Sequence, residues 1–385
     1  MYWDATYRVA TPLFLGGAKA KDKAELRPSS IKGLLRFWFR AIAWPRLQKW
    51  EKVKDLESTI FGSTEKQASF LLTIQKQEGL TEIKSDRWPN LYGLHYLGYG
   101  LTTFKGEVIR PYLKAGGCFT IRLHLKKEMP QDAIHYLPLT LQALGLFGAA
   151  GARSRKGFGS LSLETLTCNG EEIWKAPKTV EELYTSIKTF LQEIDIAGSQ
   201  NSLPEYTAFS SHSRVWIALT GTNALNLLNS VGYEMLSYRI YGRESKGKHV
   251  LPDGKDAEQN FSPDHNLMLN FCRGKQISTH PERVVFGLPH NYYFKTTGDK
   301  IEIAPASKDY NRRASPLFIH IHAFAQRSYA VVITLLPAVF LPARERIEIS
   351  SKHHKMSVNC NVNYNHIINF MNRSAFSRDK VVVWP

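Results

Sequence analysis

Within its first forty-two residues this chain changes hydrophobic period from two to about 3.6, which confines it to folds where a helix packs on a sheet. Trp3, Ala5, Tyr7 and Val9 alternate with Asp4, Thr6 and Arg8, as a half-buried strand requires, and Thr11-Pro12 closes or bends that strand. A basic loop over 16–27 follows. Then Ile31, Leu34, Leu35, Trp38, Phe39 and Ile42 fall on one side of a helix, with Lys32, Arg36 and Arg40 as an adjoining stripe. Ser29 or Ser30 is the expected N-cap, and Pro45 marks the end of the helix or a kink.

Strand patterns return over 70–75 and 118–125, with a long insertion, 79–117, between them. A small-residue helix from Pro138 to about Ala150 enters a glycine-rich loop, 151–160, and 160–164 leaves it as a strand. The order is βαββαβ, the ferredoxin-like unit. A covering helix over 181–194 and a linker composition over 197–204 place a boundary near 200, so 1–200 and 201–385 read as two domains. The second restarts with a strand over 215–220 and a helix over 223–238, then crosses a polar stretch, 242–265. Strands over 317–324 and 331–336 and a late segment, 365–371, end it. The expected class is α+β with two tandem ferredoxin-like (RRM-like) domains, the second more divergent.

Charge says what such a scaffold would hold. The chain of 385 residues carries a formal net charge of +16 with 43% apolar residues, enough for two buried cores and a preference for phosphate. Between Lys19 and Lys54 there are eleven Lys/Arg against three Asp/Glu, interleaved with Phe37, Trp38, Phe39, Trp44 and Trp50. Cations mixed with aromatics suit a polyanion whose bases stack, most simply RNA. Cys118, Cys168, Cys272 and Cys360 lie far apart, which suggests a reduced, cytoplasmic setting without disulfides. The apolar run 329–343 is too short to span a bilayer and contains Pro337 and Pro342, so no membrane partner is expected.

Three phosphate signatures bear on the loop 151–160. Gly157 is followed by Phe158, so the Gly-Lys-Ser/Thr of a Walker loop is missing, and a helix precedes where a dinucleotide fingerprint needs a strand. Lys156-Gly157-Phe158-Gly159 matches the opening of an RRM signature whose aromatics stack on bases, although Ser160 and Leu163 replace its later aromatics. The stretch 242–249 has Walker spacing as far as the lysine, but His249 replaces the hydroxyl and Pro252 forbids an immediate helix; it reads as a flexible basic loop. Phe318, His320, His322 and Phe324 share a strand face, read as an exposed or RNA-facing strip in preference to a metal site. Phe37 and Trp44 stand off the core face of the first helix, to stack a base, to meet another subunit or to pack under the 79–117 insertion. Gly33 would let a phosphate approach closely, or serve tight packing. No metal or cofactor is expected.

The run Glu25-Leu-Arg-Pro-Ser-Ser-Ile-Lys-Gly-Leu-Leu-Arg-Phe-Trp-Phe-Arg-Ala41, with Ile60-Phe-Gly-Ser63, resembles the RAMP-superfamily subunits numbered first in the Cmr complexes of type III-B CRISPR systems. The resemblance continues through Tyr96-Leu-Gly-Tyr-Gly100, the loop 151–160, Phe286-Gly-Leu-Pro-His290 and Arg312-Arg-Ala-Ser-Pro-Leu317. It implies a non-catalytic subunit of an antiviral effector that binds guide RNA and target RNA far from the guide's 5′ tag, beside RAMP backbone subunits. Lys32, Arg36, Arg40, Arg153, Arg155 and Lys156 would then contact phosphates, joined by Arg27, Arg312 and Arg313, with Phe158 available to a base.

Two rivals remain at this level. An endoribonuclease of the same superfamily would use a histidine, yet none occurs before His95, or Asp22 in a metal-assisted cut; a lone carboxylate among cations is more often a local charge partner. A protein-only assembly module would use the aromatics as interface anchors.

Overall fold

The structure is a computed structural model that describes every residue except Phe104, Met129, Gln200, Asn201, Lys295, Thr296 and Lys308, and all but the side chain at Gln326. The boundary expected near 200 lies outside the described residues.

Strand β1 (Tyr2–Val9) is followed by α1 (Pro28–Leu47), α2 (Trp50–Phe61) and β2 (Phe70–Glu78). The insertion carries β3 (Glu82–Ile83), α3 (Tyr92–Leu97) and β4 (Tyr112–Leu113). Beyond it come β5 (Cys118–Leu125), α4 (Gln131–Phe147), β6 (Leu161–Cys168), β7 (Glu171–Lys175) and α5 (Val180–Glu193). The first sheet is antiparallel, in the order β2-β5-β1-β6-β7. The alternation of β1 has the cause read from sequence: Trp3, Ala5, Tyr7 and Val9 are buried in a core shared with α1 and α4. On the other face Arg122 forks onto Asp4 through two bonds of 2.6 Å.

Local starts and stops differ from the sequence reading in two places. Helix α1 begins at Pro28 with Arg27 as N-cap and no capping side chain, because proline at the first position presets the helical φ and lacks the N–H that a serine would have satisfied. Helix α4 begins at Gln131 and runs through Pro138, whose missing N–H is outweighed by burial of Ala133, Tyr136, Leu137 and Leu139 around it.

The second half repeats the pattern with long excursions. Strand β8 (Arg214–Gly221) and α6 (Ala224–Arg239) are followed by the hairpin β9 (Arg243–Ser245) and β10 (Lys248–Val250), then α7 (Ser262–Cys272), β11 (His290–Tyr293) and β12 (Lys300–Pro305). Strands β13 (Leu317–Ala323) and β14 (Tyr329–Leu335) precede β15 (Arg346–Ser350), β16 (Lys355–Asn359), α8 (Asn365–Met371) and β17 (Val381–Trp384). The main sheet has the order β13-β14-β8-β17, and an additional sheet, β11-β12-β15-β16, has its own small core with α7. Sequence reading missed that second sheet altogether. The stretch 242–249 is a two-stranded hairpin, with Lys248 opposite Ser245, and so cannot cradle phosphate as a loop entering a helix would.

The main sheet of the second half is covered on both faces. Trp216, Ala218, Ile319, Ile321, Val331 and Ile333 pack with α6 and α8, while Val215, Ile217, Phe318, Ala330 and Val332 join the core of the first half. His320 and His322 therefore lie in the seam between halves, 0% and 1% exposed, and the reading of an exposed or RNA-facing strip is corrected. The His320 ring meets the Gly148 carbonyl through Nδ1 at 2.8 Å. Burial pulls His320 down to about 4 and His322, with its histidine neighbour adding to burial, down to about 3, so both are neutral.

The edge of β13 is closed by the first half. Its outward N–H groups at Ile319, Ile321 and Ala323 donate to the Arg155 carbonyl (3.1 Å), Ser160 Oγ (3.0 Å) and Ser162 Oγ (2.8 Å). Helix α3 of the insertion lies directly on α6, where a Cβ added to Gly93 would meet the Asn229 carbonyl at 2.0 Å. Both of the larger core clusters draw residues from the two halves.

Candidate nucleic-acid interface

The loop 151–160 is positioned from both sides. Gly157 has φ +84°, and a Cβ there would strike Leu228 Cδ1 of α6 at 2.6 Å, so the position requires glycine both for backbone and for space. Its carbonyl accepts from Thr11 Oγ1 (2.6 Å) and Ser160 Oγ (3.0 Å). This rigid turn sends Arg155 toward α1 and Lys156 toward α6.

Arg155 lies between two rings, 5.2 Å from the Phe37 centroid and 4.6 Å from that of Phe318, and donates to the Ser315 carbonyl. Burial first, then the neighbouring Arg313, pulls its pKa down to about 10. Arg313 leans over Phe340 at 5.5 Å, donates to the Val339 carbonyl at 3.3 Å, and keeps a buried Nε without a partner. With Arg40, Phe37, Trp50 and Tyr206 these two arginines line one open cavity of about 370 Å³, whose single carboxylate is Glu205. Tyr206 is wedged between Trp44 and Trp50 (5.1 and 5.3 Å between centroids), and its hydroxyl donates to the Arg40 carbonyl at 3.0 Å. Cations from the early helix and from the glycine-rich loop thus share one furrow with aromatic walls.

The other expected site residues are distributed differently. Arg36 is a clamp within the protein: it donates to Glu57 (2.8 Å) and to the carbonyls of Phe61 (3.0 Å) and Gly62 (2.5 Å). Glu57, only 6% exposed, also faces Arg40 at 3.4 Å. The expected phosphate role of Arg36 is therefore corrected, since its guanidinium is already occupied. Lys32 lies 5.5 Å from the Phe70 ring, with its pKa lowered by burial and by Arg36. Arg27 is exposed beside Glu25 at 3.8 Å. Neither Lys32 nor Arg27 lines the furrow.

Arg153 has a left-handed backbone (φ 60°) and donates from Nε to the Tyr99 carbonyl at 2.9 Å. Exposed Arg312 is close enough to lower the Arg153 pKa, after burial, which lowers it most. Among the described residues the hydrogen-bond partner of the Lys156 ammonium is Met235 Sδ, at 3.5 Å. Phe158 is a correction: it is 0% exposed and stacked on Trp88 at 5.5 Å with planes 5° apart, so neither face is open to a base. The match to an RRM opening fails because this Phe lies in a buried turn, whereas an RRM presents its aromatics on an open strand.

Trp44 is buried against Tyr206, not under the insertion. Phe37 is half-buried, lying 5.8 Å from Phe318 of the second half. An added Cβ on exposed Gly33 meets nothing within 4 Å, which removes the packing explanation for it. Tyr206 and Glu57 were not anticipated as site residues, and no local sequence signal marks them. Asp22 is exposed in a turn in which its N–H donates to the Lys19 carbonyl at 2.9 Å. Among the described residues no group of three or more His, Cys, Asp or Glu is placed to hold a metal, and no helix is long and apolar enough to cross a membrane.

Residues 6–162 match the model of the RAMP superfamily. The chain is 27% identical over 342 residues to the CRISPR system Cmr subunit Cmr1-1 of Pyrococcus furiosus, covering 86% of this chain and 85% of that one. A crystal structure of Cmr1 from Pyrococcus furiosus in its apo form superposes with a TM-score of 0.54 at 20% identity, over 100% of this chain and 99% of that chain. A cryo-EM structure of type III-B Cmr-beta bound to cognate target RNA and AMPPnP contains a chain similar at a TM-score of 0.51 and 12% identity, over 96% and 98% of the two.

Proposed function

We propose that this chain, whose residues 6–162 match the RAMP superfamily model, is the RNA-binding, non-catalytic Cmr1-type subunit of a type III-B Cmr effector. It would contact guide and target RNA at the end distant from the guide's 5′ tag, beside RAMP backbone subunits. The observation that carries this reading is the furrow of Arg40, Arg155 and Arg313 walled by Phe37, Trp50 and Tyr206, which offers guanidinium forks to phosphates and ring faces to bases. Supporting it, a structure of similar fold comes from a complex bound to target RNA. The shared strand order, with the third strand of each βαββαβ run between its first and second, supports reading each half as a ferredoxin-like unit.

The test is single-stranded RNA binding by the whole chain across a salt series. Arg40→Gln with Arg313→Gln is expected to weaken binding at least tenfold and to reduce the salt slope by about 0.7 for each phosphate that the variant no longer neutralises. Unchanged affinity and slope would overturn the proposal. Guide and target RNA incubated with the chain and magnesium are expected to stay intact; cleavage abolished by Asp22→Ala would favour the nuclease instead.

A further inference from the structure

Four stretches singled out in the sequence meet behind the glycine-rich loop, on the side facing α6. Tyr96 comes from the insertion, Lys156 from the loop, Arg239 from the last turn of α6, and Phe286 with His290 from the segment entering β11. The Arg239 guanidinium lies 4.5 Å from the Phe286 centroid and 6.0 Å from that of Tyr96, so two rings fix it while its buried Nε has no acceptor. The His290 Nε2 is likewise buried without a partner. Across from Arg239, the Lys156 ammonium has the Met235 thioether, one helical turn before Arg239, as its hydrogen-bond partner among the described residues.

Among the described residues this cluster lacks a counter-charge. Arg283, the other neighbouring cation, is committed to Asp264, which also accepts from the Glu282 and Arg283 backbone N–H groups at 2.8 and 2.9 Å. Among the described residues Lys156 and Arg239 make no ion pair with any carboxylate. Cations gathered without an anion repel one another and lose hydration, a cost that persists where a ligand brings the missing charge.

We propose that Lys156 and Arg239, with Arg153 at the rim, form a second phosphate site on the opposite flank of the loop from the Arg40–Arg155–Arg313 furrow. The site takes a phosphoryl oxyanion, and its source is the backbone of bound single-stranded RNA; this part rests on the RNA-binding reading above. Support comes from the Lys156 ammonium, brought down to about 7 by burial and then by Arg239, Arg153 and Arg155. Among the described residues those three arginines are the charged groups that act on it, from α6 and from its own loop, and Met235 Sδ lies 3.5 Å from its ammonium. A phosphate would draw the proton back onto Lys156 and raise its pKa, so binding is at full strength below about pH 7 and weakens as pH rises through and above that value.

The whole chain, titrated with a labelled oligouridylate and separately with inorganic phosphate, tests this between about pH 6 and pH 8. Lys156→Met is expected to raise the melting temperature of the free protein, because a repelled and desolvated charge is removed, while weakening RNA binding roughly tenfold at the acid end and flattening its pH profile. Lys156→Arg should retain affinity and also flatten the profile, and Arg239→Gln should weaken binding by a similar factor. If the wild-type chain binds RNA but Lys156→Met and Arg239→Gln match it in affinity and pH profile, and inorganic phosphate stabilises none of the three, the site does not exist. If phosphate raises the melting temperature of the wild type alone while RNA binding is untouched by the variants, the site holds a free phosphoryl anion. If the wild type binds no RNA and phosphate still stabilises it, the anion site stands and the RNA-binding reading falls.

Discussion

Glu57 decides how much of the basic stripe on α1 is free to meet a ligand. It is nearly buried, and it holds Arg36 at 2.8 Å and Arg40 at 3.4 Å. Arg36 directs Nη2 at the carbonyls that end α2, whereas Arg40 lines the furrow. Replacing Glu57 by Gln would leave two guanidinium groups beside a neutral amide, and urea unfolding is expected to show a loss of about 3 kcal/mol with an unchanged m-value. An unchanged midpoint would mean that the carbonyls of Phe61 and Gly62 suffice to hold Arg36. Sequence could not disclose this pairing, because Glu57 lies 21 positions away on a separate helix, and the stripe of Lys32, Arg36 and Arg40 looks equally free in a one-dimensional reading.

At the scale of elements, α1 carries a glycine that its packing does not explain. Alanine at an exposed interior helix position is favoured over glycine by up to about 1 kcal/mol, and a methyl on Gly33 would enter open space. Gly33→Ala is therefore expected to raise the thermal midpoint; weaker RNA binding by the same variant would show that a backbone phosphate passes close to that face, and unaltered binding that it does not. Periodicity disclosed most of the main elements: β1, α1, α6, β13 and β14 stand close to where the alternation and the helical stripes put them. The sheet β11-β12-β15-β16 was illegible because its strands are short and come from two excursions on either side of β13 and β14, with Glu302 paired to Ser350. For β13 the alternation was readable but its environment was not, since nothing in a single strand says that another module covers it. Charge and spacing singled out Arg40 and Arg155, and the family resemblance added Arg313, all of which line the furrow; Tyr206 carried no such signal, because it follows a stretch with the composition of a linker.

Over the whole molecule, the seam between halves makes stability depend on acidity. Both buried histidines stay neutral when folded, at about 4 and about 3, whereas the unfolded chain protonates them near the ordinary value of 6.5. The unfolded state binds more protons below that value, so their contribution is complete above about pH 6.5 and declines as pH falls, levelling off near the folded values. Urea titrations at stepped pH are expected to show this decline, and His322→Phe to make it shallower; an identical slope in the variant would place the acid sensitivity elsewhere. The same seam hides a liability. Strand β13 is nearly continuous in apolar and aromatic residues, and it sits at the rim of its sheet, where such a ribbon ordinarily invites a stranger's chain to zip alongside. Two serine hydroxyls and one carbonyl of the same polypeptide stand in for that missing neighbour, so the fold inoculates itself against filament growth at its stickiest margin.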